Sequence, residues 1–144
     1  MHEVKSESGV SFFVTPGFGE ALRDALPYSQ AVRIGNRVEI SGQGGWDDEI
    51  NFPESLEDEI ERTFENVQRT LATAGASWAD VVHVNSYHVP SAPDWIGDEP
   101  TQAMARQLRK WMPDRAPIWT QTGVAALGAP KMRVEIRVTA IVGE

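Results

Sequence analysis

The chain has 144 residues, 41% hydrophobic and 24% charged, the proportions of one folded domain with no disordered bias. A formal net charge of −8 speaks against a surface built to neutralise phosphates, so neither a nucleic-acid nor a membrane partner is expected. With no cysteine, disulfides, thiolate metal sites, iron–sulfur clusters and a cysteine nucleophile are all excluded.

The first eight residues, Met-His-Glu-Val-Lys-Ser-Glu-Ser, hold no apolar h-region, and no run approaches the length of a membrane span. A cytoplasmic protein is therefore expected. Val10 to Val14 reads as a short apolar strand. Ala31 to Ile34, the turn pair Gly35-Asn36, and residues 37–41 read as a hairpin. A helix is expected from Ser55, with Asp58 three residues on as in a capping box, to Gly75 at a left-handed stop. Its apolar stripe is Leu56, Ile60, Phe64, Val67 and Leu71, which leaves Glu57, Glu61, Arg62, Glu65 and Arg69 toward water. Residues 81–89 are dense in β-branched and aromatic side chains and read as a strand. A second helix is expected from about Pro100 to Trp111, with Met104, Leu108 and Trp111 inward and Pro113 beyond its end. Two strands follow, over 118–124 and 133–142, the latter with Val134, Ile136, Val138, Ala140 and Val142 on one face.

This order suggests an α+β layer, one mixed β-sheet with two helices packed on one face, in a single domain over 1–144. In 81–89 apolar residues fall on both alternations: Val81, Tyr87 and Val89 on one, Val82 and Val84 on the other. A sheet whose second face is not plainly polar needs a cover, and another subunit is the expected one.

Candidate chemistry is sparse. His83 and His88 stand five apart in a strand and so point to opposite faces, and no ligand spacing for a metal exists; no metal site is expected. Glycine-rich Ser41-Gly42-Gln43-Gly44-Gly45 lacks the lysine and the following helix of a phosphate loop. It reads as a sharp strand end, or as backbone able to approach an anionic ligand closely. Arg115, in Pro-Asp-Arg-Ala-Pro ahead of a strand, is a surface charge paired with Asp114 or an anion anchor. Glu135, between Arg133 and Arg137 on the last strand, belongs to a solvated ion-pair face or to a site. The tryptophans are core or interface anchors before they are cofactor stackers.

At these residues the chain resembles the RidA/YjgF family of imine and enamine deaminases. The resemblance runs from about Pro27 to Val142 and rests on Pro-Tyr-Ser-Gln-Ala at 27–31, the strand ending Ser-Gly-Gln at 41–43, Arg-Ala-Pro at 115–117 and Val-Glu-Ile at 134–136. It implies a chorismate-mutase-like sandwich assembled as a homotrimer with sites between subunits. It implies that Arg115 binds the carboxylate of a small 2-imino or enamine acid, that Glu135 positions and activates water, and that Tyr28 lines the cleft. Ser41 and Gly42 would contribute a hydroxyl and backbone donors near the substrate. The implied reaction is hydrolysis of 2-aminoacrylate or 2-iminopropanoate type substrates to 2-oxo acids and ammonia, with no cofactor. The alternatives are a non-catalytic trimer that binds small carboxylates, or a specialised pathway deaminase or hydrolase of larger, aromatic substrates, which the tryptophans would suit. Endoribonuclease activity, sometimes attached to the family, sits poorly with the charge.

The chain departs from the family pattern in several places. Pro117 stands where many members have cysteine, Leu26-Pro27 replaces a frequent Gly-Pro, and the 122–130 stretch is long. The 16–26 segment and the tryptophans at 46 and 119 have no counterpart in the pattern. The departures are expected to cluster at the cleft, with Phe18 between Gly17 and Gly19 at its mouth, setting substrate size as a small lid.

Overall fold

Seven strands form one sheet in the order β1-β2-β3-β4-β7-β5-β6 in the computed structural model, which describes residues 2–5 and 9–143. Met1 and residues 6–8, part of the start that lacks an h-region, lie outside the described residues. The strands are β1 (His2–Lys5), β2 (Val10–Val14), β3 (Ala31–Ile34), β4 (Arg37–Ile40), β5 (Val81–His88), β6 (Ile118–Gly123) and β7 (Val134–Ile141). All neighbours run antiparallel except β5 and β6, which are parallel because helix α3 (Asp98–Trp111) carries the chain back between them. No helix among the described residues is long and apolar enough to cross a membrane.

The hairpin forms where its turn chemistry places it. Gly35 takes φ 60°, which a side chain resists, and Arg37 pairs with Ile34 directly across. Helix α2 (Leu56–Thr73) is bounded by the expected signals. Ser55 Oγ accepts from the Asp58 N–H at 3.0 Å, and three acidic residues sit in the first turn against the positive end of the dipole. At its other end Gly75 adopts φ 80°, with Gly75 N–H donating to Ala72 O and Ala76 N–H to Leu71 O, the paired bonds of a Schellman stop.

Ile60, Phe64, Val67 and Leu71 of α2 are fully buried against Val134, Ile136, Val138 and Ala140 of β7 and their neighbours. Each such side chain contributes about 1.5–3 kcal/mol. Trp78 closes this core, stacked on Phe64 at 4.7 Å, with its indole N–H donating to the Phe64 carbonyl. Met104, with Ala103, faces the same core from α3.

Three points differ from the sequence-based expectation. A third helix, α1 (Phe18–Ala25), packs against β2; with eight residues, one of them a glycine, it is too short to announce itself in the sequence. Strand β1 adds an edge that no pattern marked. In β5 the register shifts between Val81 and His83, a bulge that turns both Val81 and Val84 into the core. The uncovered face of β5 therefore carries His83, Asn85 and Tyr87 rather than a valine series.

That uncovered face is mixed. Phe12, Ile34, Ile118 and Ile141 are exposed on it, while Glu39 ties its centre together with Arg37, Arg137 and Thr139.

Candidate functional site

The open face carries the site residues because they fall on the alternation opposite the core. On β7, Glu135 alternates with buried Val134 and Ile136; on β4, Ser41 follows buried Ile40. A single bridge, Gln43 to Ile136, prolongs the β4–β7 pairing and draws residues 41–43 alongside Glu135. Gly42 then lies directly beneath the Glu135 carboxylate. A Cβ there would collide with it, so the glycine is required by close approach rather than by turn geometry. The rest of the glycine run has the same explanation: a side chain at Gly44 would strike Met132 and Trp46, and one at Gly45 would strike Glu59.

Tyr28 comes from the opposite wall. Helix α1 ends where Leu26 N–H bonds Leu22 O, and a tight turn at Pro27, closed by Tyr28 N–H to Leu26 O at 2.7 Å, delivers the phenol to a cavity of about 690 Å³. Its walls include Phe12, Arg23, Tyr28, Gln30, Val32 and Ser41. Buried Gln30 accepts from Thr15 N–H and, through its backbone carbonyl, from Ser41 N–H at 2.8 Å, coupling β3 to the Ser41 turn. Gln43, also buried, donates through its amide to Ser41 O at 3.2 Å and toward Ser41 Oγ at 3.4 Å. Ser41 is thus oriented from both sides.

Electrostatics follow from burial. Desolvation raises the Glu135 carboxyl above its ordinary range, which makes its ionised form a stronger base. Burial also pushes the Tyr28 hydroxyl up, opposed by the Gln30 amide and reinforced by the charge of Glu135. That coupling puts Tyr28 and Glu135 in one electrostatic environment. Sequence reasoning missed Tyr87, which pairs directly with Glu135 across β5 and β7 on the same face. The bulge at Val82 conceals its alternation in the sequence.

Arg115 is elsewhere. It is exposed in the loop before β6, and its guanidinium donates through Nε (3.1 Å) and Nη2 to the carbonyl of Ala79, so that carbonyl rather than Asp114 receives it. Ala79 lies just before Val81, which pairs with Ala140, whereas Glu135 pairs with Tyr87 at the other end. Five residues of β7 alone span about 17 Å. One chain therefore brings Tyr28, Ser41, Gly42 and Glu135 together and leaves Arg115 at the far end of the sheet.

Several other expectations change. Phe18 is fully buried, in edge contact with Trp46 at 5.8 Å and under the Arg69 guanidinium; it is a core residue and not a lid. Leu127 and Ala129 of the long 122–130 stretch pack on that same cluster, away from the cavity. Trp46 and Trp78 are buried and Trp119 turns inward to bond Ser86, so these tryptophans give no support to an aromatic substrate. His88 is buried and neutral, lowered to about 4 by desolvation, with Nε2 beside Ser86 Oγ at 2.9 Å, whereas His83 lies on the open face. Among the described residues no cluster of three His, Asp or Glu could hold a metal ion.

Comparison with known proteins bears on the family and the fold. The family model described as Endoribonuclease L-PSP matches residues 18–142. The RutC family protein YjgH of Escherichia coli K12 is 28% identical, covering 85% of this chain and 90% of that one. A protein of Dermatophagoides farinae named 2-iminobutanoate/2-iminopropanoate deaminase is 40% identical over 63 residues, covering 42% of this chain and 49% of that protein. Among solved structures, RidA from the Antarctic bacterium Psychrobacter sp. PAMC 21119 superposes with a TM-score of 0.68 at 32% identity, covering 80% of this chain and 88% of that one. The structure of protein YjgH superposes with a TM-score of 0.77 at 23% identity over all of this chain and 99% of its own, a likeness of fold.

Proposed function

The chain belongs to the YjgF/RidA family, and from that premise we propose that it hydrolyses small 2-imino and enamine acids to 2-oxo acids and ammonia. The observation that carries this reading is the Glu135 carboxylate, raised by burial and held against Gly42 beside Tyr28 and Ser41. Tyr28 and Ser41 line a space large enough for a small acid, and the Glu135 carboxylate lies against Gly42, the residue next to Ser41.

The chemistry asks for little more. An enamine takes a proton at carbon and loses one from nitrogen to become the imine. Water adds through its oxygen to the C=N carbon while Glu135 accepts a water proton and passes it to the imine nitrogen, giving a carbinolamine. As the C–N bond breaks and C=O forms, Glu135 takes the hydroxyl proton and delivers it to the leaving nitrogen, releasing ammonia. Orientation of water and substrate supplies most of the acceleration.

Arg115, the residue expected to anchor the carboxylate next to the imine, does not reach the cavity of its own chain. In a homotrimer with the open faces inward, Arg115 of a neighbouring copy would fill that role, its planar guanidinium binding the carboxylate through two parallel hydrogen bonds. The exposed apolar side chains Phe12, Ile34, Ile118 and Ile141 on that face favour such a cover.

The test is hydrolysis of imines generated in situ by an amino-acid oxidase, with semicarbazide trapping the imine that escapes, alongside light scattering of the same sample. Faster loss of imine than in buffer, from a particle of three chains, is expected. A monomer would leave the site without its arginine. A protein inert on every imine that still binds 2-oxo acids would be a carboxylate-binding module instead.

A further inference from the structure

The cavity beside Tyr28 has a charge that the proposed reaction does not use. Two charged side chains line it, Arg23 and Glu39. Glu39 is spent: Oε2 accepts from Arg37 Nε at 2.7 Å, and Oε1 accepts from Thr139 Oγ1 at 2.5 Å and Arg137 Nη2 at 3.2 Å. Arg23 is not. Its ion-pair partner Asp24 stands 4.0 Å away, at the limit of contact, and is 78% exposed, outside the cavity wall. Of the two charged side chains that line the cavity, Arg23, in the last turn of α1, is the one without a close counter-ion.

Geometry gives that charge a use. Arg23 sits five residues before Tyr28, on the helix whose end delivers the phenol, so it flanks the phenol on the side of the cavity formed by α1. Helix α1 is anchored at its start, where Phe18 packs with Trp46 and Met132. In the single chain the space is about 690 Å³, open on the face that a neighbouring copy would cover.

We infer that Arg23 forms a second anion-binding subsite in this cavity, and that the preferred substrate is a 2-imino acid with a further carboxylate on its side chain. The inference rests on the deaminase reading for the identity of the reacting group, but the subsite itself is a matter of binding. The carboxylate next to the imine and the one at the far end of the side chain would then be held by separate arginines, which fixes the length of the substrate.

Calorimetric titration of the wild-type protein with 2-oxoglutarate and with 2-oxobutanoate, both product-shaped probes, tests it without requiring turnover. The dicarboxylate should bind about ten- to a hundredfold more tightly, the factor one charge-assisted hydrogen bond supplies. Arg23→Met should erase that preference, and Arg23→Lys should keep part of it, since a point charge attracts the carboxylate without the planar fork. Circular dichroism checks that each variant is folded. Equal affinities in the wild type, no binding of either probe, or a preference that survives Arg23→Met would overturn the subsite. Hydrolysis of 2-iminoglutarate and 2-iminobutanoate, measured in parallel, separates the two readings. An Arg23-dependent preference in a protein inert on both imines would uphold the subsite and refute the deaminase.

Discussion

Gly42→Ala is the sharpest probe of the site, because the structure specifies what the added methyl would meet. An ideal Cβ at Gly42 falls inside the contact distance of the Glu135 carboxylate and within 2.6 Å of its Cγ. Ordinary contact is near 3.5–4 Å, so the carboxylate must retreat by about 1 Å. The obstacle is the end of a side chain, not backbone, so the fold can accommodate it. The cost of overpacking should fall near the lower end of the usual range, about 1 kcal/mol, which lowers Tm by about 2–4 °C in a chain of this size. Catalysis should suffer far more. Misplacing a reacting group by about 1 Å costs on the order of a hundredfold in rate. The assay is kcat for 2-iminobutanoate by semicarbazone trapping, with a thermal melt of the same preparation. Glu135→Gln, which keeps the shape and removes the base, should show a similar loss in kcat with little change in KM. A Gly42→Ala protein that stays within threefold of wild-type kcat would show that Glu135 does not act from its observed position. A collapse of both Tm and kcat would make the loss structural.

Arg115→Ala should lower kcat/KM by at least ten- to a hundredfold, the equivalent of about 1.5–3 kcal/mol, with Arg115→Lys recovering little; steady-state kinetics on the same imine checks both. His88 makes stability fall with acid: its folded pKa is depressed to about 4, so from pH 6.5 downward the unfolded chain takes up a proton that the folded chain refuses. The loss reaches roughly 3 kcal/mol by pH 4, and His88→Gln should remove that part of the slope in urea melts at pH 4 to 7. Buried Glu59 accepts from Arg133 Nε at 2.7 Å and from Arg133 N–H at 2.8 Å. Arg133→Met strands that carboxylate and should destabilise the protein by about 3–5 kcal/mol at neutral pH, measured by denaturant unfolding.

The sequence by itself determined most of the secondary structure and the face on which each major element is buried. Those are properties of local period and of end signals: the three- and four-residue steps from Ile60 to Leu71, the stop at Gly75, the alternation from Val134 to Ala140. It also singled out the candidate residues Tyr28, Ser41, Gly42, Arg115 and Glu135, which stand in motifs whose order and spacing resemble a family. What it could not determine was distance across the sheet. A one-residue bulge at Val82 reverses the faces of β5 and hides Tyr87, and no pattern of residue types announces it. Phe18 between two glycines reads as mobile, yet contacts with Trp46 and Met132, 28 and 114 residues onward in the chain, bury it. Arg115 and Glu135 share a motif set and lie at opposite ends of one sheet, because a strand's register, not its composition, decides what it stands beside. Only the tertiary structure shows Gly42 under the carboxylate and Arg23 in the cavity wall, for both are contacts between elements that the chain brings together after long loops.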